Sequence, residues 1–227
     1  MKKHILLIIL TIALPLQIFS FSLVGDPIAV PVQKQYVVYN KNLGDEKLPD
    51  TNDANVQTTL LLTGVDTQGI RSNRMFYTAG NQIHLFDNSE WAVPLSNMLT
   101  IATFEYILRS NMVSALALKN INVVNNYTLF GSTSYGPIIN ADENEFFFYI
   151  TFYLKNQQTQ KMSIKTFKFD KKIDNSKLSA DMYAQLTNDS LANIFSQMKP
   201  WILGEMKEQE AQNKLLLAKA QNLQSDQ

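Results

Sequence analysis

From Gln35 onward, alternating apolar runs give way twice to a helical stripe. Gln35-Tyr36-Val37-Val38-Tyr39, the run Val56 to Thr63, and Arg74-Met75-Phe76-Tyr77-Thr78 all carry strand character. Ala79-Gly80-Asn81 supplies a hairpin turn, because Gly80 and Asn81 tolerate positive φ, and Gln82 to Phe86 returns as the partner strand. The period then changes. Leu95, Met98, Leu99, Ala102 and Tyr106 recur at helical spacing, with Ile101, Phe104 and Leu108 widening the apolar side, which predicts a helix over 93–109. Pro94 suits its first turn, where a missing N–H costs nothing, and Asn111 is its expected stop.

The second half repeats that order. Asn122 to Phe130 is a predicted strand, Gly131 to Pro137 a loop, and Glu145 to Leu154 a long strand with aromatic residues on both alternating faces. Such a strand is covered on both sides or lies in an interface. After the turn Asn156-Gln157-Gln158-Thr159-Gln160, Met162 to Asp170 pairs back. Asp174 to Ser179 leads to a second helix, whose seam Leu191, Ile194, Phe195, Met198, Ile202 forms an amphipathic stripe that Pro200 is expected to kink or cap. The segment 40–55, rich in Asn, Asp, Gly and Lys, is expected to be a loop. Strands, helix, strands, helix predict an α+β fold: a mostly antiparallel sheet with two helices packed on one face, plus a C-terminal helical tail over 205–227.

Ahead of this lies a different pattern. Met1-Lys2-Lys3-His4 precedes an apolar run from Ile5 to Leu14, Pro15 breaks it, and small residues follow around Ser20-Phe21-Ser22. That order is the signature of a signal peptide, here 1–25, with cleavage expected between Ser20 and Gly25. The competing expectation is an uncleaved anchor, although the run is about half of the ~20 residues that span a bilayer. The three expected segments are 1–25 (signal peptide or N-terminal anchor), 26–204 (the α+β domain) and 205–227 (the tail). On either reading the remainder of the chain is expected to work outside the cytoplasm, held at a membrane if the N-terminal segment stays uncleaved.

Composition removes several classes of chemistry. The chain has no cysteine, so Leu23-Val24-Gly25, which resembles the start of a lipobox, cannot lead to a thioether lipid anchor, and no disulfide framework exists. Past the signal only His84 remains among histidines, so neither Cys-His catalysis nor the usual zinc ligand sets can be assembled. Ser132-Thr133-Ser134-Tyr135-Gly136 misses the first glycine of a nucleophile elbow. Asp142-Glu143-Asn144-Glu145 lacks the spaced ligands of a calcium loop, Leu48-Pro49-Asp50-Thr51-Asn52 belongs to loop chemistry, and Asn126-Tyr127-Thr128 and Asn188-Asp189-Ser190 fit the glycosylation triplet. No catalytic residue, metal or cofactor is expected. Lys plus Arg equals Asp plus Glu at 20 each; without Lys2 and Lys3 the balance is negative, so neither nucleic acid nor anionic lipid headgroups are expected as electrostatic partners.

Several residues together resemble a known family. Arg74-Met75-Phe76-Tyr77, a hairpin, then Glu90-Trp91-Ala92-Val93-Pro94 opening a helix, is similar to the "R-x-x-Y … W-A-x-P" region of the ABC-type transport auxiliary lipoproteins (paraquat-inducible protein C-like). Asn126-Tyr127-Thr128-Leu129 resembles that family's "D-Y-x-L" strand, and Trp201 falls in the expected final helix. The chain departs from the family in lacking the lipidated cysteine, in its tail, in Asn126 for the commoner Asp and in Glu90 for a commoner Arg. The resemblance implies a non-enzymatic periplasmic accessory subunit of an MCE/ABC-type intermembrane lipid transport system. Its implied partners are an MCE-domain protein and the associated ABC transporter subunits, with lipid and a homo-oligomeric ring as further expectations. Arg74, Tyr77, Trp91, Pro94, Tyr127 and Trp201 are the motif residues, structural or docking. Phe146, Phe148, Phe152 and Tyr153 are the expected interface. The alternatives are a free-standing lipid carrier and a carboxylate-based hydrolase using two of Asp87, Glu90, Glu105 and Glu145.

Overall fold

The computed structural model describes residues 31–39, 58–68, 72–119, 124–133 and 136–225. The signal-like segment, the loop over 40–55 and Ser134-Tyr135 lie outside the described residues. The chain divides into two units, Met1–Val32 and Gln33–Gln227, and the second carries the fold. Its strands are β1 (Lys34–Tyr36), β2 (Thr59–Thr67), β3 (Arg74–Ala79), β4 (Gln82–Trp91), β5 (Ala115–Leu118), β6 (Tyr127–Thr133), β7 (Ile138–Asn140), β8 (Glu145–Asn156) and β9 (Met162–Lys172). Helix α1 (Leu95–Arg109) follows β4, and α2 (Ala180–Ser225) closes the chain.

β8 organises the sheet. One of its edges is paired along its length by β9, from Glu145↔Lys172 to Lys155↔Met162. Its other edge is shared: β7 pairs with the first turn of the strand (Ile139↔Phe146) and β6 with the last (Leu129↔Leu154). Two arms grow from there, β7-β3-β4-β1 and β6-β2-β5. The ladders β1/β4, β2/β5, β2/β6 and β3/β7 are parallel, and β3/β4, β6/β8, β7/β8 and β8/β9 antiparallel.

The sheet is therefore mixed, which corrects the expectation of a mostly antiparallel one. The physical reason lies in the connections. The chain leaves β2, makes the β3–β4 hairpin and α1, and comes back as β5 and then β6, running parallel to β2 on both of its sides. The turns at Gly80 (φ 57°), at Ala141–Asn144 (Asn144 φ 51°) and after Asn156 reverse the chain directly and leave a turn signature, whereas the parallel ladders leave none.

α1 begins after Pro94, whose ψ of 134° is non-helical, and ends at Arg109, with Asn111 in the left-handed region at φ 52°. Its buried residues include Leu95, Met98, Leu99 and Ala102 as the spacing predicts. Thr100 Oγ1 accepts the Val65 N–H at 2.8 Å beside the β2 bulge and so ties the helix to the sheet. The predicted seam of α2 is fully buried at Leu191, Ile194, Phe195, Met198 and Ile202. Tyr106 of α1 stacks on Phe195 of α2 at 4.8 Å, joining both helices over one core.

Pro200 does not end α2. It removes the N–H that Ser196 would otherwise bond, but both residues are exposed, so water can take that carbonyl. The helix also passes 204 without a break, and the start of the expected tail is part of the domain. Met206 and Gln209 are buried, Ser163 donates to Glu205 Oε2 at 2.6 Å, and Asn213 donates to Gln158 at 2.9 Å.

Candidate functional site

The alternation of β8 divides its aromatic residues between two environments. Phe146, Phe148, Ile150, Phe152 and Leu154 point under the helices and are 0% exposed. Phe147, Tyr149, Thr151, Tyr153 and Lys155 point to the opposite face, which no described helix covers. The register adds Phe130 and Ser132 of β6 and Met162, Ile164, Thr166 and Lys168 of β9 to that open face. Phe130, Tyr149, Met162 and Ile164 are exposed, Ile164 at 59%.

Rings on this face pair with one another. Phe130 and Tyr153 lie 5.8 Å apart between centroids, Phe147 and Tyr149 5.6 Å, and Lys168 Nζ sits 5.2 Å above the Tyr149 ring. Tyr149 donates its hydroxyl to Asp170 Oδ1 at 2.5 Å. That bond, then desolvation, then the nearby Asp170 and Glu145 charges, push the Tyr149 phenol up to about 12. Glu145 is itself paired with Lys172 at 3.1 Å. The face thus offers apolar rings and hydroxyls while its two carboxylates are engaged. Its rings give contact area at little desolvation cost, and Lys168 is an exposed charge among them.

This arrangement revises the expected interface. Phe146, Phe148 and Phe152 are core residues, removed from any partner by the helices above them. Tyr153 alone of the four reaches the open face, and Phe130, Phe147 and Tyr149 stand where the other three were expected. A signal for this was present: the outward positions of β8 carry Glu, Phe, Tyr, Thr, Tyr and Lys, all but one of them polar or amphipathic, the inward ones only apolar residues until Asn156.

The motif residues brace the fold. Arg74 opens β3 opposite Glu90, whose carboxylate accepts from Asn73 (2.8 Å) and Gln35 (3.2 Å). Tyr77 stacks on His84 at 5.2 Å and contacts Phe86 at 5.1 Å. Trp91 is buried against Tyr183 at 5.6 Å, and Pro94 caps α1. Tyr127, buried with its phenol raised by desolvation, donates to the Met206 carbonyl at 3.4 Å. Trp201 meets the edge of Phe167 at 5.7 Å. Apart from Arg74, which is exposed and lines a cleft, these residues define the fold.

Of the four carboxylates of the hydrolase alternative, two share a cleft. Asp87 and Glu90 line one cleft with Arg74, Glu105 is exposed on α1, and Glu145 lies on β8. Asn188 is buried with Oδ1 accepting the Tyr39 N–H at 2.9 Å, so that triplet is closed to a glycan in the folded chain. Among the described residues no three His, Cys, Asp or Glu side chains gather as a metal site, and no helix is long and apolar enough to cross a membrane.

A mixed nine-stranded sheet bearing two helices on one face is the class that these observations define. Two solved structures share it. The XCC0632 protein of Xanthomonas campestris, of the DUF330 family, is similar over 79% of this chain and 98% of that one, at 16% identity and a TM-score of 0.55. An uncharacterized protein is similar over 76% of this chain and 99% of its own, at 17% identity and a TM-score of 0.51. At such identities the likeness is one of fold. No family model matches the sequence, and no curated protein matches it.

Proposed function

We propose that the protein is a non-enzymatic accessory subunit of an MCE/ABC-type intermembrane lipid transport system, and that it acts by docking. The observation that carries this reading is the open face of the sheet, where Phe130 and Tyr149 are exposed and Phe147 and Tyr153 half-buried beside them. The ordered motif from Arg74 to Trp201 supports it through its resemblance to the auxiliary lipoproteins. The subunit supplies no chemistry of its own; it presents a flat aromatic surface to an MCE-domain partner at the end of a lipid-conducting assembly. The interior between sheet and helices is filled by side chains such as Leu62, Leu99, Phe148 and Phe195, all 0% exposed, which favours docking over carriage of a lipid inside the domain.

Pull-down from a detergent extract of the native cells tests this. The wild-type protein is expected to recover an MCE-domain protein, and Phe147→Ser/Tyr149→Ser is expected to lose at least tenfold of it while staying folded. Recovery of no MCE or ABC component by the wild-type protein would reject the reading.

A further inference from the structure

The net charge of the chain conceals an asymmetry that the fold brings into view. Between Glu145 and Lys172 the β8–β9 hairpin holds Lys155, Lys161, Lys165, Lys168, Lys171 and Lys172 against Glu145 and Asp170. That is a net charge of +4 in a chain whose formal net charge is zero, so the remaining residues carry −4. Summed over the chain the charges cancel, and the pairing of β8 with β9 concentrates the lysines here.

The hairpin lies at the rim of the sheet. Among the described residues β9 pairs with β8 alone, so the outward backbone groups of Met162–Lys172 face away from the sheet. Lys165 and Lys171 flank this edge on the helix side and Lys168 on the open side, all three exposed. Their neighbours leave them available. Of the other lysines, Lys161 is paired with Glu208 at 3.4 Å and Lys172 with Glu145 at 3.1 Å. Asp170 accepts from Tyr149. Lys165 and Lys168 hold their ammonium groups over the Phe167 and Tyr149 rings at 5.1 and 5.2 Å, a cation–π contact that leaves both side chains exposed and, among the described residues, pairs neither with a carboxylate. Met162 and Ile164 project from the same strand, exposed.

We infer that the β9 edge is a membrane-surface site, which seats the protein on anionic phospholipid headgroups through Lys165, Lys168 and Lys171, with Met162 and Ile164 entering the interface. Lysines on both sides of a bare edge repel a further strand, and outward N–H groups between them suit phosphate oxygens. The exposed aliphatic pair suits a lipid boundary better than a nucleic acid. This goes beyond the docking reading and stands without it.

Vesicle flotation with the full chain tests the site, using phosphatidylcholine alone and phosphatidylcholine with about one-third phosphatidylglycerol, near the anionic content that gives about fivefold tighter binding per lysine. The readout is the ratio of the two partition coefficients, in which the apolar N-terminal segment cancels, taken in a Lys2→Gln/Lys3→Gln background so that the basic residues ahead of that segment do not contribute. Three lysines predict a ratio of about a hundred at low salt, shrinking as the screening length falls to ~8 Å at physiological salt. Lys168→Glu/Lys171→Glu is expected to bring the ratio close to one. Lys199→Glu/Lys207→Glu, the same charge change placed on exposed positions of α2, is expected to keep most of it. Circular dichroism confirms that each variant is folded. A wild-type ratio near one overturns the inference and leaves the basic edge to an acidic protein partner. Equal losses in the two double variants overturn it too, since they would report net charge and not this edge.

Discussion

Phe152→Ala is expected to destabilise the protein by about 3–5 kcal/mol, whereas Tyr153→Ala, one residue on, is expected to cost about 1 kcal/mol, the order of one exposed aromatic pair. The difference rests on a single alternation. Phe152 is 0% exposed and meets Phe167 edge-on at 6.0 Å, under the surface that α2 covers. Its truncation leaves a cavity among atoms that cannot close over it. Tyr153 turns to the open face and loses chiefly its contact with Phe130. Urea denaturation of both variants measures the two values. Equal losses would mean that both faces of β8 are covered in the folded protein, and the open face would lose its standing as a docking surface.

Gly131→Ala is the second large effect, at about 1–3 kcal/mol for adding one carbon to a full core. Gly131 lies on β6 between Val65 of β2 and Phe152 of β8, its partners on either side. A Cβ placed there would stand 2.9 Å from Phe152 Cε1 and 2.9 Å from Val65 Cγ2, both belonging to buried side chains. The glycine lets the Phe152 ring lie across β6. Adding Val65→Ala removes one of the two clashes, so the double variant is expected to lose less than the sum of the single variants. Additive losses in denaturant titrations would show that the strain lies elsewhere.

What the sequence conveyed was local. The β3–β4 hairpin at Gly80, the start of α1 at Pro94 and its stop by Asn111, the seam Leu191 to Ile202 and the long β8–β9 pair all follow from turn chemistry and periodicity. The parallel ladders were not legible, since β2 finds β5 and β6 only after a hairpin and a helix have intervened. β5 and β7, at four and three residues, are too short to show a period. Pro200 misled because a proline on the exposed side of a helix frees a carbonyl that water satisfies. The site was half legible. The long aromatic strand was foreseen, but both its faces are apolar enough to be core, and only the place of α2 decides that Phe146, Phe148 and Phe152 are covered while Phe147, Tyr149 and Tyr153 turn to the other face. The basic edge was hidden for a different reason: summing charges over the chain averages away a cluster that strand pairing concentrates.

The most direct measurement of the docking account is site-specific photocrosslinking in living cells. A photoreactive side chain at Tyr149, on the open face, is compared with one at Ile101, exposed on the outer side of α1. The account predicts a covalent adduct with an MCE-domain protein from position 149 and none from 101. An adduct from 101 alone, or none from either position in cells that export the protein, would contradict it.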